Sequence, residues 1–368
     1  MASEVSRTAP SGRPVDDGAR RGDTVVPLKS RSRPVASSGP EPRYTIASLF
    51  SGIGGFELGF EAAGFGVTFQ CELNTFCRSV LEHHWPDVPR HSNIKELDIA
   101  DIPDSDVWVA GFPCQDVSLA RMGTRAGLRG AQSGLFYQFA RLVGERRPRI
   151  FVLENVSGLL SSHKGRDFGL VLGTLAELGF DLGWRVLDSQ HFGVPQSRKR
   201  VYIIGCDRDR HGPASILLEP ECGQGVPSTR GADGAKPVPP LQRRLDHPGP
   251  AGAVTKAIAY CLYAESARHT GTDWSRNYVS YPRDGEVRRL TPRECEGVMA
   301  FPDGWTDIKV GLDEEAQDTA RYHALGNAVT PPVAEWVARR VRRRLEELDG
   351  LSGVAAPMNE EPAAVSAV

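Results

Sequence analysis

From Tyr44 onward the chain alternates short apolar runs with amphipathic stretches. The runs Thr45–Phe50, Val67–Glu72, Val107–Phe112, Ile150–Glu154, Trp184–Leu187 and Arg200–Cys206 have the length of strands. Between them, apolar residues recur at helical spacing around Gly55–Ala63, Thr75–His83, Gly134–Glu145 and Phe168–Leu178, with Gly64 and Gly179 where helix-closing glycines belong. This order predicts βαβ units in an α/β fold, a doubly wound and mostly parallel sheet. The alternation stops near Asp207, and residues 207–285 are dense in Gly, Pro and polar types without a helical or strand period. Thr291-Pro292 then opens a helix through Met299, and Thr330-Pro331 opens another through about Leu345; each pairs a capping hydroxyl with a proline in the first turn.

The ends read differently. Residues 1–43 are rich in Arg, Ser, Pro, Gly and Ala and carry no apolar period, which predicts a disordered, mildly basic arm; 347–368 reads as a disordered tail. The expected organisation is a main domain over 44–206, an irregular region over 207–285 and a return segment over 286–346 that completes the domain. A length of 368 residues suits one large α/β domain with a small appendage. With 40% hydrophobic and 24% charged residues, fibrous and wholly disordered chains are excluded.

Charge and cysteine usage narrow the partners. Lys+Arg 44 against Asp+Glu 46 leaves a net −2, so a polyanion would have to be met by a local basic surface. No run approaches the roughly 20 apolar residues of a membrane span, and the first residues lack the apolar core of a secretory signal; a cytoplasmic protein without a membrane partner is expected. The seven cysteines, Cys71, Cys77, Cys114, Cys206, Cys222, Cys261 and Cys295, are odd in number and scattered, a pattern of a reducing compartment rather than a disulfide framework. Cys71 and Cys77 lie near His83, His84 and His91 without zinc spacing, and no metal is expected.

Four segments carry candidate chemistry. The first strand runs into Phe50-Ser-Gly-Ile-Gly-Gly-Phe-Glu57, glycines that let a backbone turn tightly against a ligand or merely form a turn. The spacing is not that of the dinucleotide fingerprint, which disfavours NAD. Strand two ends in Glu72, either an acceptor for ribose hydroxyls or a solvated strand end. A later strand ends in Gly111-Phe-Pro-Cys-Gln-Asp-Val-Ser118, placing Cys114 at a strand's carboxyl end; as a nucleophile it would need a cationic neighbour or a base, and otherwise it is a structural thiol. Glu154-Asn-Val156 closes an apolar strand, where partial desolvation would let Glu154 donate a proton near neutral pH. In Gln196-Ser-Arg-Lys-Arg200, Arg198 and Arg200 share a face if the segment is extended.

The order of these segments resembles the cytosine-5 DNA methyltransferase family. Two later ones add to the likeness: Arg289-Leu-Thr-Pro-Arg-Glu-Cys-Glu296 with Phe301-Pro-Asp-Gly-Trp305, and Tyr322-His-Ala-Leu-Gly-Asn-Ala-Val329. The resemblance runs from about Tyr44 to Arg340, apart from the irregular region. It implies a Rossmann-like methyltransferase fold that binds S-adenosylmethionine, released as S-adenosylhomocysteine, and acts on double-stranded DNA, with 207–285 as the target-recognition region. In that family the Pro-Cys thiolate, here Cys114, attacks carbon 6 of a flipped-out cytosine. The Glu-Asn-Val carboxyl, Glu154, binds ring nitrogen 3 and the exocyclic amine, and Arg198 and Arg200 correspond to the residues that set positive charge by the base oxygen and a nearby phosphate. The cofactor positions map onto Phe50, Gly52, Gly54, Gly55, Glu72, Pro113, Leu135, Asn327 and Ala328. The family's Asp-Ile at the adenine amine is matched here by Asn93-Ile94, a departure, with Asp98 as the alternative acceptor.

The stretch Ser118–Gly130 matches the mobile loop that closes over DNA, or is an ordinary exposed basic loop. Gln115, Ser118, Arg121, Arg125, Gln196 and Arg276 are the expected DNA contacts. The resemblance further implies a monomer that modifies DNA alone or beside a cognate restriction endonuclease, a functional rather than physical partner. Two competing readings are a tRNA cytosine-5 methyltransferase, whose branch carries a Cys-Phe-Thr segment that this chain lacks, and a silent DNA-binding regulator, which would be expected to lose Cys114 or Glu154 first; both are present.

Overall fold

The computed structural model describes residues 42–113, 134–218, 258–262, 278–281, 286–311 and 313–350. Elements of the main domain come in the order β1 (Tyr44–Leu49), α1 (Gly55–Ala62), β2 (Phe65–Cys71), α2 (Thr75–His84), β3 (Arg90–His91), β4 (Val107–Ala110), α3 (Leu135–Arg146), β5 (Ile150–Val156), α4 (Arg166–Glu177), β6 (Phe180–Asp188), β7 (Lys199–Asp207) and α5 (Gly212–Leu217). A hairpin of β8 (Tyr278–Tyr281) and β9 (Glu286–Arg289) precedes α6 (Pro292–Met299), α7 (Glu314–Asn327) and α8 (Pro331–Leu348).

Strands β1 to β7 form one sheet in the order β3-β2-β1-β4-β5-β7-β6. All neighbours run parallel except β7, which is antiparallel to both β5 and β6. The reason lies in chain length. Only residues 189–198 separate β6 from β7, too few for the helical crossover that a parallel return requires. From β1 the chain winds outward through β2 and β3, then crosses back to β4 on the other side of β1, so the strand order reverses between β1 and β4. Such a reversal opens a crevice at the strands' carboxyl ends. This is a doubly wound, Rossmann-like fold, as the alternation predicted.

Both faces of the sheet are covered. On one, Leu49, Phe69, Trp108, Phe151 and Ile203 pack with Phe136 and Phe139 of α3 and Val171 and Leu175 of α4. On the other, Ile46, Val107, Val152 and Ile204 pack with Phe60 of α1, Ile216 of α5 and Val337 and Val341 of α8. Alternate residues of each strand therefore serve opposite layers, the pleat turned into two cores. Helix α8 lies against α1 along two glycines one turn apart: a Cβ on Gly55 would stand 2.1 Å from the Val329 carbonyl oxygen, and one on Gly59 would stand 2.5 Å from Ala334 Cβ.

A third cluster joins the return segment to the front of the domain. Ile53, Val80, Leu81 and Trp85 pack with Val298, Met299, Trp305 and Leu325. Trp305 donates its indole N–H to the Ile53 carbonyl at 2.8 Å, and its ring stacks on His84 at 3.4 Å. The return helix α6 starts as its sequence predicts: Thr291 Oγ1 accepts from Glu294 N–H at 3.1 Å, and Glu294 accepts from Thr291 N–H at 2.8 Å.

Five elements depart from the pattern reading. Strand β6 begins four residues earlier than expected, because Phe180 is buried while the intervening positions sit half-exposed at the sheet's edge and show no clean period. Within 207–285, aperiodic in sequence, α5 and β8 are regular. Helix α7 has no counterpart in the sequence pattern; its residues, EEAQDTARYHALGN, are polar along most of its length, and its described apolar contacts, Ala320, Tyr322, Ala324 and Leu325, come in its second half. At the carboxyl end α8 continues through Leu348, past the expected start of the tail.

Candidate active site

The crevice edge is lined by the segments after β1, β2, β4 and β5 and, because β7 is antiparallel, by the segment before β7. In the register of β5 on β7, Glu154 faces Tyr202 and Val156 faces Arg200. Glu154 and Arg200 therefore stand on the same side of the sheet, as diagonal neighbours two register positions apart. Arg200 Nε and Glu154 Oε1 form an ion pair at 3.0 Å. Glu154 is 8% exposed. Burial pushes its pKa up, while the charges of Arg200 and then Arg198 pull it back down. A carboxyl so placed keeps its proton to higher pH than a surface glutamate does.

Gly111, at the end of β4, stands directly before this carboxyl: a Cβ there would lie 3.5 Å from Glu154 Oε2. Asn155, 3% exposed, donates its amide N–H to the Phe112 carbonyl at 2.7 Å. This bond ties the strand that carries Glu154 to the backbone entering Pro113, which is itself exposed. Cys114, Gln115, Ser118, Arg121 and Arg125 lie outside the described residues, as does Arg276.

The two arginines part company. Arg198 is 2% exposed, and its guanidinium donates to the carbonyls of Leu262 at 2.9 Å, Gly326 at 3.0 Å and Ala328 at 2.9 Å. Its backbone N–H donates to Asp188 Oδ1 at 2.9 Å. Both charges act on Glu154, as expected of two arginines on one face, but their hydrogen bonds are divided: Arg200 pairs with Glu154, and Arg198 clamps the return segment and the stretch Ile258–Leu262 onto the sheet. Gln196, expected at DNA, is completely buried. Its amide oxygen accepts from Leu262 N–H at 3.0 Å, and its amide nitrogen approaches Met299 Sδ at 3.0 Å. A side chain without exposed surface touches no DNA, so Gln196 is a packing and hydrogen-bonding residue.

The glycine loop after β1 has the backbone its sequence suggests. Phe50, Gly52 and Gly54 hold φ of 56°, 58° and 87°, a region that costs a non-glycine residue energy. Ser51 N–H donates to the Cys71 carbonyl at 3.0 Å. Glu72 accepts from Gly52 N–H and from Asn74 N–H, each at 2.8 Å. Two of the roughly four lone-pair positions of a carboxylate are thereby used, and the others remain for hydroxyl donors. Gly55 is buried under the Val329 carbonyl. Ile94 is buried in the core, while Leu135 is only partly buried against it. Asn93 accepts from Lys95 N–H at 3.1 Å and donates to Glu96 at 2.6 Å, and Asp98 caps Ala100 N–H at 2.9 Å. Ala328 is buried and Asn327 exposed at the end of α7. The structure thus brings Phe50, Gly52, Gly54, Gly55 and Glu72 into one loop system at the crevice.

Sequence reading missed the anchoring roles of Asn155 and Asp188, and also Cys261, whose sulfur lies beside both arginines. Asn155 stood inside a segment already singled out, and its burial was the missing signal. Cys261 had no local signal. Among the described residues no group of three His, Cys, Asp or Glu side chains could hold a metal ion, and no helix is long and apolar enough to cross a membrane.

Known proteins agree with this architecture. The model of the C-5 cytosine-specific DNA methylase family matches residues 44–225 and 242–343. The type II methyltransferase M.SsoII of Shigella sonnei is 30% identical over 321 residues, covering 83% of this chain and 81% of that protein. M.NgoBI of Neisseria gonorrhoeae, another type II methyltransferase, is 33% identical over 308 residues, 79% of this chain and 91% of its own. The crystal structure of the Dnmt2 methyltransferase of S. pombe superposes with a TM-score of 0.60 at 18% identity, covering 83% of this chain and all of that one, a likeness of fold. With a family model across both the sheet domain and the return segment, and relatives of the same kind over most of its length, the chain is a DNA methyltransferase and belongs to the C-5 cytosine-specific DNA methylase family.

Proposed function

We propose that the chain methylates carbon 5 of a cytosine flipped out of a specific duplex DNA site, through a covalent adduct with Cys114, as the modification enzyme of a restriction–modification system or as a solitary methylase. The observation that carries this reading is the buried Glu154–Arg200 pair at the crevice edge, with Gly111 before the carboxyl and Asn155 holding the backbone that leads to Pro113 and Cys114.

Cytosine carbon 5 is a poor nucleophile until something adds at carbon 6. The Cys114 sulfur forms that bond, and the ring takes a proton at nitrogen 3 from Glu154, whose buried carboxyl is suited to hold one near neutral pH. Arg200 keeps fixed positive charge beside the same atoms, so charge that develops on the base is met without reorganisation. After methylation, the carbon 5 proton is lost to solvent, Cys114 is expelled as thiolate and the nitrogen 3 proton returns to Glu154, which restores the aromatic ring and the starting carboxyl. Neither face of a stacked base admits a thiol and a methyl donor together, which makes flipping part of the scheme.

S-adenosylmethionine supplies the electrophilic methyl group when bound. The residues present fit it. Phe50 to Gly55 form a tight turn that is bare of side chains at Gly52, Glu72 has lone pairs left for a ribose, and Leu135 offers partly exposed apolar surface. Asn93, Ile94, Pro113, Asn327 and Ala328 complete the assignment. DNA contacts are assigned to Gln115, Ser118, Arg121, Arg125 and Arg276, with 207–285 as the target-recognition region.

The test uses DNA containing 5-fluorocytosine, whose fluorine cannot leave as a proton does. The protein should form a denaturation-resistant adduct with this DNA, and Cys114→Ser should abolish it; an adduct that persists moves the nucleophile elsewhere. Tritium from labelled cofactor should enter DNA and leave tRNA unlabelled.

A further inference from the structure

The glycine turn after β1 is held from two directions. The end of β2 takes its N–H groups: Ser51 N–H donates to the Cys71 carbonyl at 3.0 Å, and Gly52 N–H donates to Glu72 at 2.8 Å. The Ile53 carbonyl is taken from the other end of the chain, by the indole N–H of Trp305, 252 residues away, at 2.8 Å. Ile53 has no exposed surface and Trp305 is 2% exposed, so water does not compete for this bond.

The donor is itself fixed. His84 lies flat on the Trp305 ring at 3.4 Å, and His84 Nε2 stands 2.8 Å from the Trp305 carbonyl oxygen. Trp85 meets the same ring edge-on at 5.6 Å and covers Gly54, where a Cβ would stand 2.4 Å from the Trp85 ring. Glu296, without exposed surface, accepts from the N–H groups on either side of Trp305, Gly304 at 2.6 Å and Thr306 at 2.8 Å, and Arg321 Nη2 reaches the same carboxylate at 3.2 Å.

Such a bond matters because the turn is not at rest. Phe50 holds φ of 56° without being a glycine, a conformation that persists only where the surroundings over-determine it. A turn free to relax would have to be re-ordered whenever a ligand bound, and affinity falls with the fraction of molecules already in the binding shape. Packing does not require the donor, since a phenyl ring keeps an aromatic face against His84. Only the indole N–H gives the return segment a grip on the backbone of the turn.

We propose that Trp305 is a positioning residue for S-adenosylmethionine: its indole N–H fixes the Ile53 carbonyl, so that the return segment holds the turn in the shape that receives the cofactor. This role rests on the reading of Phe50 to Gly55 as the cofactor turn.

The full-length protein is compared with Trp305→Phe by calorimetry with S-adenosylmethionine and by methylation kinetics. Removing the donor should raise the Kd and KM for the cofactor about fivefold, the net weight of one hydrogen bond. The kcat at saturating cofactor and the KM for DNA should stay near their wild-type values. A residue that merely supports the fold lowers the active fraction instead, so kcat falls and the cofactor KM stays; that pattern, or an unchanged Kd, overturns the proposal. Glu72→Gln separates the two readings. If it weakens cofactor binding and Trp305→Phe does not, the role of Trp305 falls alone; if neither does, the assignment of the turn falls and takes that role with it. Should Trp305→Phe fail to fold, Thr306→Val decides. It keeps the indole and removes the hydroxyl that donates to Glu296 at 2.5 Å. The same split, with a smaller rise in cofactor KM, is then expected, and a fall in kcat with KM unmoved overturns the proposal.

Discussion

A carboxyl group serves as a proton donor near neutral pH only when something keeps the proton on it. At Glu154 burial does so and the arginines oppose it. Glu154→Gln keeps the shape and removes the titration; methylation should fall by roughly 10²–10⁴-fold, the usual weight of a general acid, with thermal unfolding little changed. Near-wild-type turnover would remove Glu154 from the acid role. A second buried carboxyl, Glu57, sits in the first turn of α1 near Gln70 Nε2 at 3.3 Å. Burial raises its pKa from an ordinary 4.5 to about 7. Between those values the folded chain holds a proton that the unfolded chain has lost, so this group's contribution to stability is whole below pH 4.5 and declines as pH rises through 7, by about 3 kcal/mol in all. Urea unfolding from pH 5 to 8 should show Glu57→Gln gaining stability relative to wild type as pH rises. A constant difference across that range would contradict the titration. Glu154 was legible in the sequence because a carboxylate ending an apolar strand is a local pattern. Glu57 was not, since the side chains beside it, Gln70 and Ser48, come from strands β2 and β1 rather than from its own helix.

At the scale of elements, the contact of α1 with α8 depends on the absence of two side chains. Gly59→Ala would put a methyl group 2.5 Å from Ala334 Cβ, and the helices must separate to admit it. Overpacking of this kind costs about 1–3 kcal/mol, so the melting temperature should drop by several degrees. The same contact sets the Val329 carbonyl over Gly55, and affinity for S-adenosylmethionine, followed by calorimetry, should weaken with it. An unchanged melting temperature would show that the helices part freely. The helices around the sheet and the capped start of α6 were readable from periodicity and capping, both local signals. Helix α7 was not, because a polar helix is defined by what covers its second half. The antiparallel β7 follows from the shortness of its connection, which the sequence displays but its apolar pattern does not.

For the whole molecule, a net charge of −2 means that general attraction does not hold DNA to this protein. Affinity must come from local cations and should fall steeply with salt, each phosphate contact adding about 0.9 to the slope of log K against log salt. Replacing Arg121 and Arg125 together by Ala should lower that slope by about 2, as measured by fluorescence anisotropy on duplex DNA. No change in slope would take both residues off the phosphates. The sequence by itself determined the βαβ succession, the glycine turn and the order of the Pro-Cys, Glu-Asn-Val and Gln-x-Arg-x-Arg segments, because each is written in neighbouring residues. Only the tertiary structure decided that Arg200 pairs with Glu154 while Arg198 and Gln196 bind the return of the chain, and that Cys261 comes to lie beside them. Those outcomes depend on carbonyls and packing surfaces from about 60 to 130 residues away, and a hydrogen bond to a distant backbone group leaves no trace in the local pattern of either partner.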